Sequence, residues 1–215
     1  ERACAQGWIS PKAMRNGIII TVLFACLIGS SLLFYAGWEL IIVGLLCVLF
    51  AFLYTTGPYP LSYNGWGDIL VIVFFGFVPV GGTYYVQALT WTTDTTIASL
   101  ICGLLIDTLL VVNNYRDREA DARSGKRTVI VRFGEKFGSY LYLMLGMTAS
   151  LLCFWFLFEG HLYAALLPLL YLIPHFLTWK RMVRIHSGKK LNSILGETCL
   201  LYTSDAADDM QCVDL

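Results

Sequence analysis

Asn113-Asn114-Tyr115-Arg116-Asp117-Arg118-Glu119-Ala120-Asp121-Ala122-Arg123-Ser124-Gly125-Lys126-Arg127-Thr128 is the stretch whose reading decides what kind of molecule this is. It places Asp117, Glu119 and Asp121 among five basic side chains, directly after an apolar run. Asp117 and Asp121 are four residues apart, so on a helix their carboxylates share one face, one turn apart, and can jointly hold a hard divalent cation. Lys126, Arg127 and Arg132 offer positive charge to a phosphate carried by that cation. The competing reading is a solvated charge run at a membrane edge. Two details weigh against it. The acids continue the helical phase of the preceding run, where Asp107 and Asn114 lie on nearly the same face, and an intramembrane carboxylate is costly enough to face a cavity or a partner. Ser124-Gly125 then breaks the helix and turns the following cations back toward the acids.

The rest of the chain puts this charged stretch in lipid. Hydrophobic residues make up 57% of the 215 residues and charged ones 14%, with a mean hydropathy of +0.66, outside the range of soluble domains. Six apolar spans are expected: Gly17 to Ala36, Glu39 to Thr56, Ile69 to Thr90, Thr96 to Tyr115, Ser139 to Phe158 and Leu162 to Trp179. Each is long enough to cross about 30 Å of hydrocarbon. The fold class is thus an all-α multi-pass membrane protein.

Charge sets the orientation. Arg2, Lys12 and Arg15 precede the first span, seven Lys or Arg lie from Arg116 to Lys136, and five lie from Lys180 to Lys190, which accounts for all fifteen. Two spans separate neighbouring basic segments, so all three fall on one side, which the positive-inside rule makes cytoplasmic. The turns at Gly37 to Trp38, Trp91 to Thr95 and Glu159 to His161 carry no Lys or Arg. The chain opens on a polar segment without a signal-peptide pattern, as if mid-protein. From about Cys199 the character changes to a short acidic run holding four of the fifteen acids, Asp205, Asp208, Asp209 and Asp214. Without it, fifteen basic residues face eleven acidic ones. Residues 199–215 resemble translated adapter sequence and are set apart from the domain expected over residues 1–198.

Two further segments bear on chemistry. Tyr54 to Asp68 is a Gly/Pro/Asn-rich loop on the acid pair's side, with rings at Tyr54, Tyr59, Tyr63 and Trp66. It reads either as a plain connector or as a lid or wall for an aromatic ligand, with Asp68 at the next helix entrance. Gly76, Pro79, Gly81 and Gly82 read as a kinked, closely packed helix, with Tyr85 and Gln87 as the lesser candidates for ligand contact. The histidines and cysteines show no metal-ligand spacing, and there is no nucleophile elbow or P-loop. Nothing points to nucleic acid as a partner.

Asn113-Asn114-Tyr115-Arg116-Asp117 through Gly125-Lys126-Arg127-Thr128-Val129-Ile130-Val131-Arg132-Phe133-Gly134 closely resembles the second aspartate-rich signature of 1,4-dihydroxy-2-naphthoate polyprenyltransferases. These form the menaquinone branch of the UbiA-type intramembrane prenyltransferases. Tyr54 to Pro58, Gly67-Asp68, Phe74-Phe75-Gly76 and Gly82 to Gln87 resemble the same branch, and the likeness extends over residues 7 to 198. It implies a nine-helix bundle around a central cavity, with Mg2+ as cofactor and two aspartate motifs that bind the diphosphate of a polyprenyl donor.

The resemblance makes Asp117 and Asp121 the metal ligands, and Asn113, Asn114, Arg116, Lys126, Arg127 and Arg132 the donor-binding set. Asp68 would orient or deprotonate the acceptor hydroxyl, and Tyr85 and Gln87 would touch ligand. The implied partners are polyprenyl diphosphate, 1,4-dihydroxy-2-naphthoate and membrane lipid, and the implied location is the bacterial cytoplasmic membrane. The family's first aspartate motif is expected upstream of Glu1 and a last helix beyond Leu195. Two missing helices upstream and one downstream complete nine, so the chain is expected to be a fragment without activity of its own. Two alternatives remain open: a sister enzyme for another acceptor such as 4-hydroxybenzoate, or a membrane transporter or lipid-binding scaffold.

Overall fold

The computed structural model describes residues 6–201. The tail expected from residue 199 lies outside them apart from its first three residues. Among the described residues every regular element is helical. Five helices are long and apolar enough to cross a membrane: α1 (Pro11–Ala36), α3 (Gly67–Ala88), α4 (Thr93–Arg123), α6 (Glu135–Phe158) and α7 (Leu162–Ile185). The remaining expected span is the shorter apolar helix α2 (Glu39–Thr55), and two short helices complete the order, α5 (Val129–Phe133) and α8 (Leu191–Leu200). The helix α8 runs through the expected domain edge at residue 198.

The chain divides into two units, residues 1–52 and 53–215. The first holds α1 and most of α2. Ser10 caps α1 by accepting from the Ala13 N–H at 3.2 Å, and Pro11 occupies the first turn, where a missing N–H costs nothing. Its side chains are apolar on all sides and outward-facing, with Leu27, Ile28 and Phe34 among the most exposed, the surface expected of a helix in contact with lipid.

In the second unit the core wraps the charged end of α4. Val111, Val112 and Tyr115 of α4 are buried against Ile130 of α5, Tyr142 and Leu145 of α6, Met182 of α7, and Leu191 and Ile194 of α8. The helix α4 has 31 residues, about 46 Å of rise against about 30 Å of hydrocarbon. Its last turns therefore project beyond the apolar layer. The sequence reading ended this span at Tyr115, where the charges start, but Arg, Glu, Asp and Ala continue a helix until Ser124 and Gly125, the latter at φ +77°. The same reason carries α6 back to Glu135 and α7 on to Ile185.

Antiparallel to α4 runs α3, and the two approach through small residues. A Cβ on Gly76 would lie 2.5 Å from the Ser99 carbonyl oxygen, and one on Gly103 2.9 Å from that of Ile72. Backbone meets backbone here, as small residues permit between membrane helices. Residues Ile72–Gly81 of α3 take the wider π-helical form around Pro79, so the kinked, close-packed helix expected from the glycines and proline is what the structure has.

Candidate functional site

The acid pair sits where the sequence places it, on the projecting end of α4, but neither acid stands alone. Arg116 grips Asp117 with two hydrogen bonds, Nε to Oδ1 and Nη2 to Oδ2, both 2.8 Å. The same guanidinium donates to Asn113 Oδ1 at 2.6 Å and, from Nη1, to Asn192 Oδ1 on α8 at 3.1 Å. Asp121 also lies within electrostatic reach of Arg116. One residue's fork thus joins Asp117 and Asn113 of α4 to Asn192 of α8, a geometry that a lysine's point charge cannot reproduce.

Downstream, the chain turns back as expected. The Lys126 N–H donates to the Asp121 carbonyl at 2.9 Å, and its ammonium reaches Asp121 Oδ2 at 3.1 Å. The loop after α2 docks on this segment: the Arg127 N–H donates to the Tyr63 carbonyl at 2.7 Å, and Arg132 Nη2 donates to the Asn64 carbonyl at 2.8 Å. Gly65, at φ +82°, is needed for that approach, since a Cβ there would stand 3.0 Å from the Arg127 carbonyl oxygen. Loop and acid pair therefore share one end of the unit. Three of the loop's four rings, Tyr59, Tyr63 and Trp66, are exposed, however, and only Tyr54 is partly buried.

Asp68 opens α3 just beneath this loop. Its Oδ1 is inaccessible to solvent and has no hydrogen-bond partner, and the same holds for Oδ1 of Asp107 on α4. Asn114 is buried beside this polar interior. Tyr85 and Gln87 lie at the opposite end of α3, on the order of 20 Å from Asp68, and Gln87 is exposed and donates to the Thr83 carbonyl of its own helix. The structure does not bring these two to the aspartates.

Three participants carry no signal in the local sequence. Asn192 reaches Arg116 from α8. Glu135, in the first turn of α6, accepts from the buried Tyr115 hydroxyl at 2.8 Å and from Arg118 Nη2 at 3.1 Å, and also contacts His186 Nδ1. That network ties the ends of α4, α6 and α7 together behind the acids. Its Arg118 and His186 are 68 residues apart, and only the helix packing makes them neighbours.

The pair offers the donor type that suits a hard cation. Asp117, with a side chain 40% exposed, and Asp121, at 14%, supply hard carboxylate oxygens on successive turns of one helix. Among the described residues no three His, Cys, Asp or Glu side chains gather to hold an ion. A cation held by these two alone would take its remaining ligands from phosphate oxygens and water, the pattern by which Mg2+ is commonly bound.

The chain is 38% identical over 158 residues to the 1,4-dihydroxy-2-naphthoate octaprenyltransferase of Escherichia coli strain K12, covering 71% of this chain and 51% of the relative. It is 37% identical over 159 residues to the protein of that name from Haemophilus influenzae, covering 71% and 51%. With the Mycobacterium tuberculosis protein of the same name it shares 37% over 145 residues, covering 67% and 50%. The chain spans about half the length of these curated relatives. No solved structure matches it significantly. The UbiA prenyltransferase family profile matches residues 1–195, and with the membrane helices and the acid pair in place, the chain belongs to the UbiA prenyltransferase family.

Proposed function

We propose that the protein of which this chain forms part transfers a polyprenyl group from polyprenyl diphosphate to 1,4-dihydroxy-2-naphthoate, with loss of CO2, giving demethylmenaquinone in its quinol form. The observation that carries this reading is the Asp117–Asp121 pair ringed by Arg116 and Lys126 at the end of a membrane helix. The names of the relatives supply the acceptor. Mg2+ held by Asp117 and Asp121 would neutralise the diphosphate and make it a better leaving group. Arg116, released from Asp117, and Lys126 and Arg127 would hold the diphosphate oxygens, and Arg132 would keep the loop over the site. The apolar helices would exclude water from the allylic cation and accept the donor's chain from lipid. Asp68 would orient the acceptor's hydroxyl.

The same reading puts the protein in a bacterial cytoplasmic membrane with the Asp117 end inside, where the basic segments lie. The direct test measures incorporation of labelled polyprenyl diphosphate into 1,4-dihydroxy-2-naphthoate by membranes. It is run on the chain alone and on a chimera preceded by the N-terminal half of the Escherichia coli relative, with 4-hydroxybenzoate as the competing acceptor. Mg2+-dependent prenylation of the naphthoate by the chimera supports the reading. Prenylation of 4-hydroxybenzoate alone would reassign the acceptor, and an inactive chimera that is folded would favour a non-catalytic membrane role.

A further inference from the structure

The contacts between α3 and α4 fix their register. Ile72 lies opposite Gly103, and Gly76 opposite Ser99 and Gly103. The helices are antiparallel, so stepping one turn toward the charged end means going from residue 72 to 68 on α3 and from 103 to 107 on α4. That step brings Asp68 face to face with Asp107. The next contact agrees: a Cβ on Gly67 would lie 3.3 Å from Leu110 Cδ2 and 3.6 Å from the Tyr54 hydroxyl. Asp68 and Asp107 interact through space, and Tyr54 lies within electrostatic reach of both.

This arrangement is costly. Asp107 is 1% exposed, and Oδ1 of each acid is sealed from solvent without a partner. A carboxyl in such a place is destabilising unless something satisfies it. No basic side chain is hydrogen-bonded to either, and no third metal-ligating group joins them among the described residues. Asp68 meets its own backbone N–H, but Oδ1 of each acid still lacks a hydrogen-bond donor. The residues that pack between the two helices one turn to either side, Ile72 with Gly103 and Gly67 with Leu110, are apolar or lack a side chain and offer a hydrated ion no further ligand.

We propose that Asp68 and Asp107, with the Tyr54 hydroxyl at the rim, form a subsite that accepts the O–H hydrogen bonds of a hydroxylated aromatic acceptor. This rests on the acceptor class proposed above and adds Asp107 and Tyr54 to Asp68. Asp107 lies ten residues, about 15 Å along α4, from Asp117. A two-ring acceptor and the first carbons of a prenyl chain fill that interval, so a donor diphosphate at Asp117 and a hydroxyl at Asp107 bring the reacting carbons between them.

The test is equilibrium binding to the detergent-solubilised chain of two probes, 1,4-dihydroxy-2-naphthoate and 1,4-dimethoxy-2-naphthoate, which cannot donate. Wild type should prefer the dihydroxy probe by roughly tenfold. Asp107→Leu and Asp68→Leu should bind both probes with the weak affinity that the dimethoxy probe has for wild type, while the melting temperature holds or rises. Asp107→Asn and Asp68→Asn serve the same comparison if a leucine variant does not fold. Asp117→Asn should keep the full preference. A preference that survives in the folded Asp107 and Asp68 variants, even with both affinities lowered together, would overturn the subsite and leave the acceptor class standing. Wild type that binds neither probe would overturn both.

Discussion

Arg116 occupies Asp117 with both arms of its fork, each at 2.8 Å, so the residue that leads the acid motif is also the first ligand of its own neighbour. In this state the guanidinium fills the place a cation would take beside Asp117. Were Asp117 to ligate the metal of a donor diphosphate as proposed, the pair would have to separate, leaving Arg116 beside the phosphates with Asn113 and Asn192 still aiming it.

Arg116→Lys keeps the charge and loses the fork. In the form that turns over, we expect kcat/KM for the polyprenyl diphosphate to fall about 10- to 100-fold, with the acceptor KM little changed. Asn192→Ala should move the same parameter in the same direction by less. Steady-state kinetics with each substrate varied in turn decides this, and a wild-type profile for Arg116→Lys would remove the role.

Replacing both Lys126 and Arg127 with Gln should raise the apparent KM for the donor more than for the naphthoate, because the donor's diphosphate carries the charge these side chains meet. Lys126 is already paired with Asp121, so part of the loss should appear as weaker metal dependence in a Mg2+ titration. Were the acceptor's KM to move instead, these cations would serve its carboxylate.

Glu135→Ala removes the acceptor for the Tyr115 hydroxyl, in a side chain 1% exposed, and unpairs Arg118. The cost should be about 1–3 kcal/mol, read as a drop of several degrees in melting temperature, and Glu135→Gln should recover part of it. An unchanged melting temperature would show that the network behind the acids is not needed for stability.

Single cysteines replacing Ser62, Ser124 and Ser187 should be labelled from the cytoplasmic face, and those replacing Thr93 and Gly160 from the other. The structure already ties the first two loops to one end through Arg127 and Arg132, and α7 to that end through His186 and Glu135. A split among the first three positions would break the pairing of spans.

What the sequence showed and what it hid divide along a physical line. The apolar spans, the acid pair at i and i+4, the break at Gly125 and the close-packed glycines of α3 are local properties, encoded within a few turns and read from them. Span ends were misjudged where charge was taken to end a helix, since charged residues are helix formers outside lipid. The pairing of Arg116 with Asp117 was hidden because a basic residue beside an acid looks the same whether it meets its neighbour or a ligand. Asn192, Glu135 and His186 reach the site through packing alone. Tyr59, Tyr63 and Trp66 are exposed on the docked loop, a placement that their number in the sequence did not reveal. Asp107 was visible as an intramembrane acid, yet its partner Asp68 followed only from the register of two helices.

The central claim is that Asp117 and Asp121 bind a metal–diphosphate complex. Equilibrium binding of labelled geranylgeranyl diphosphate to the purified chain, in Mg2+ and in EDTA, tests it without requiring turnover. Wild type should bind in Mg2+ and lose most of that binding in EDTA, and the Asp117→Ala/Asp121→Ala variant should bind at least about tenfold more weakly in Mg2+, with no further loss in EDTA. Equal, Mg2+-dependent binding by the wild type and the double variant would contradict the account.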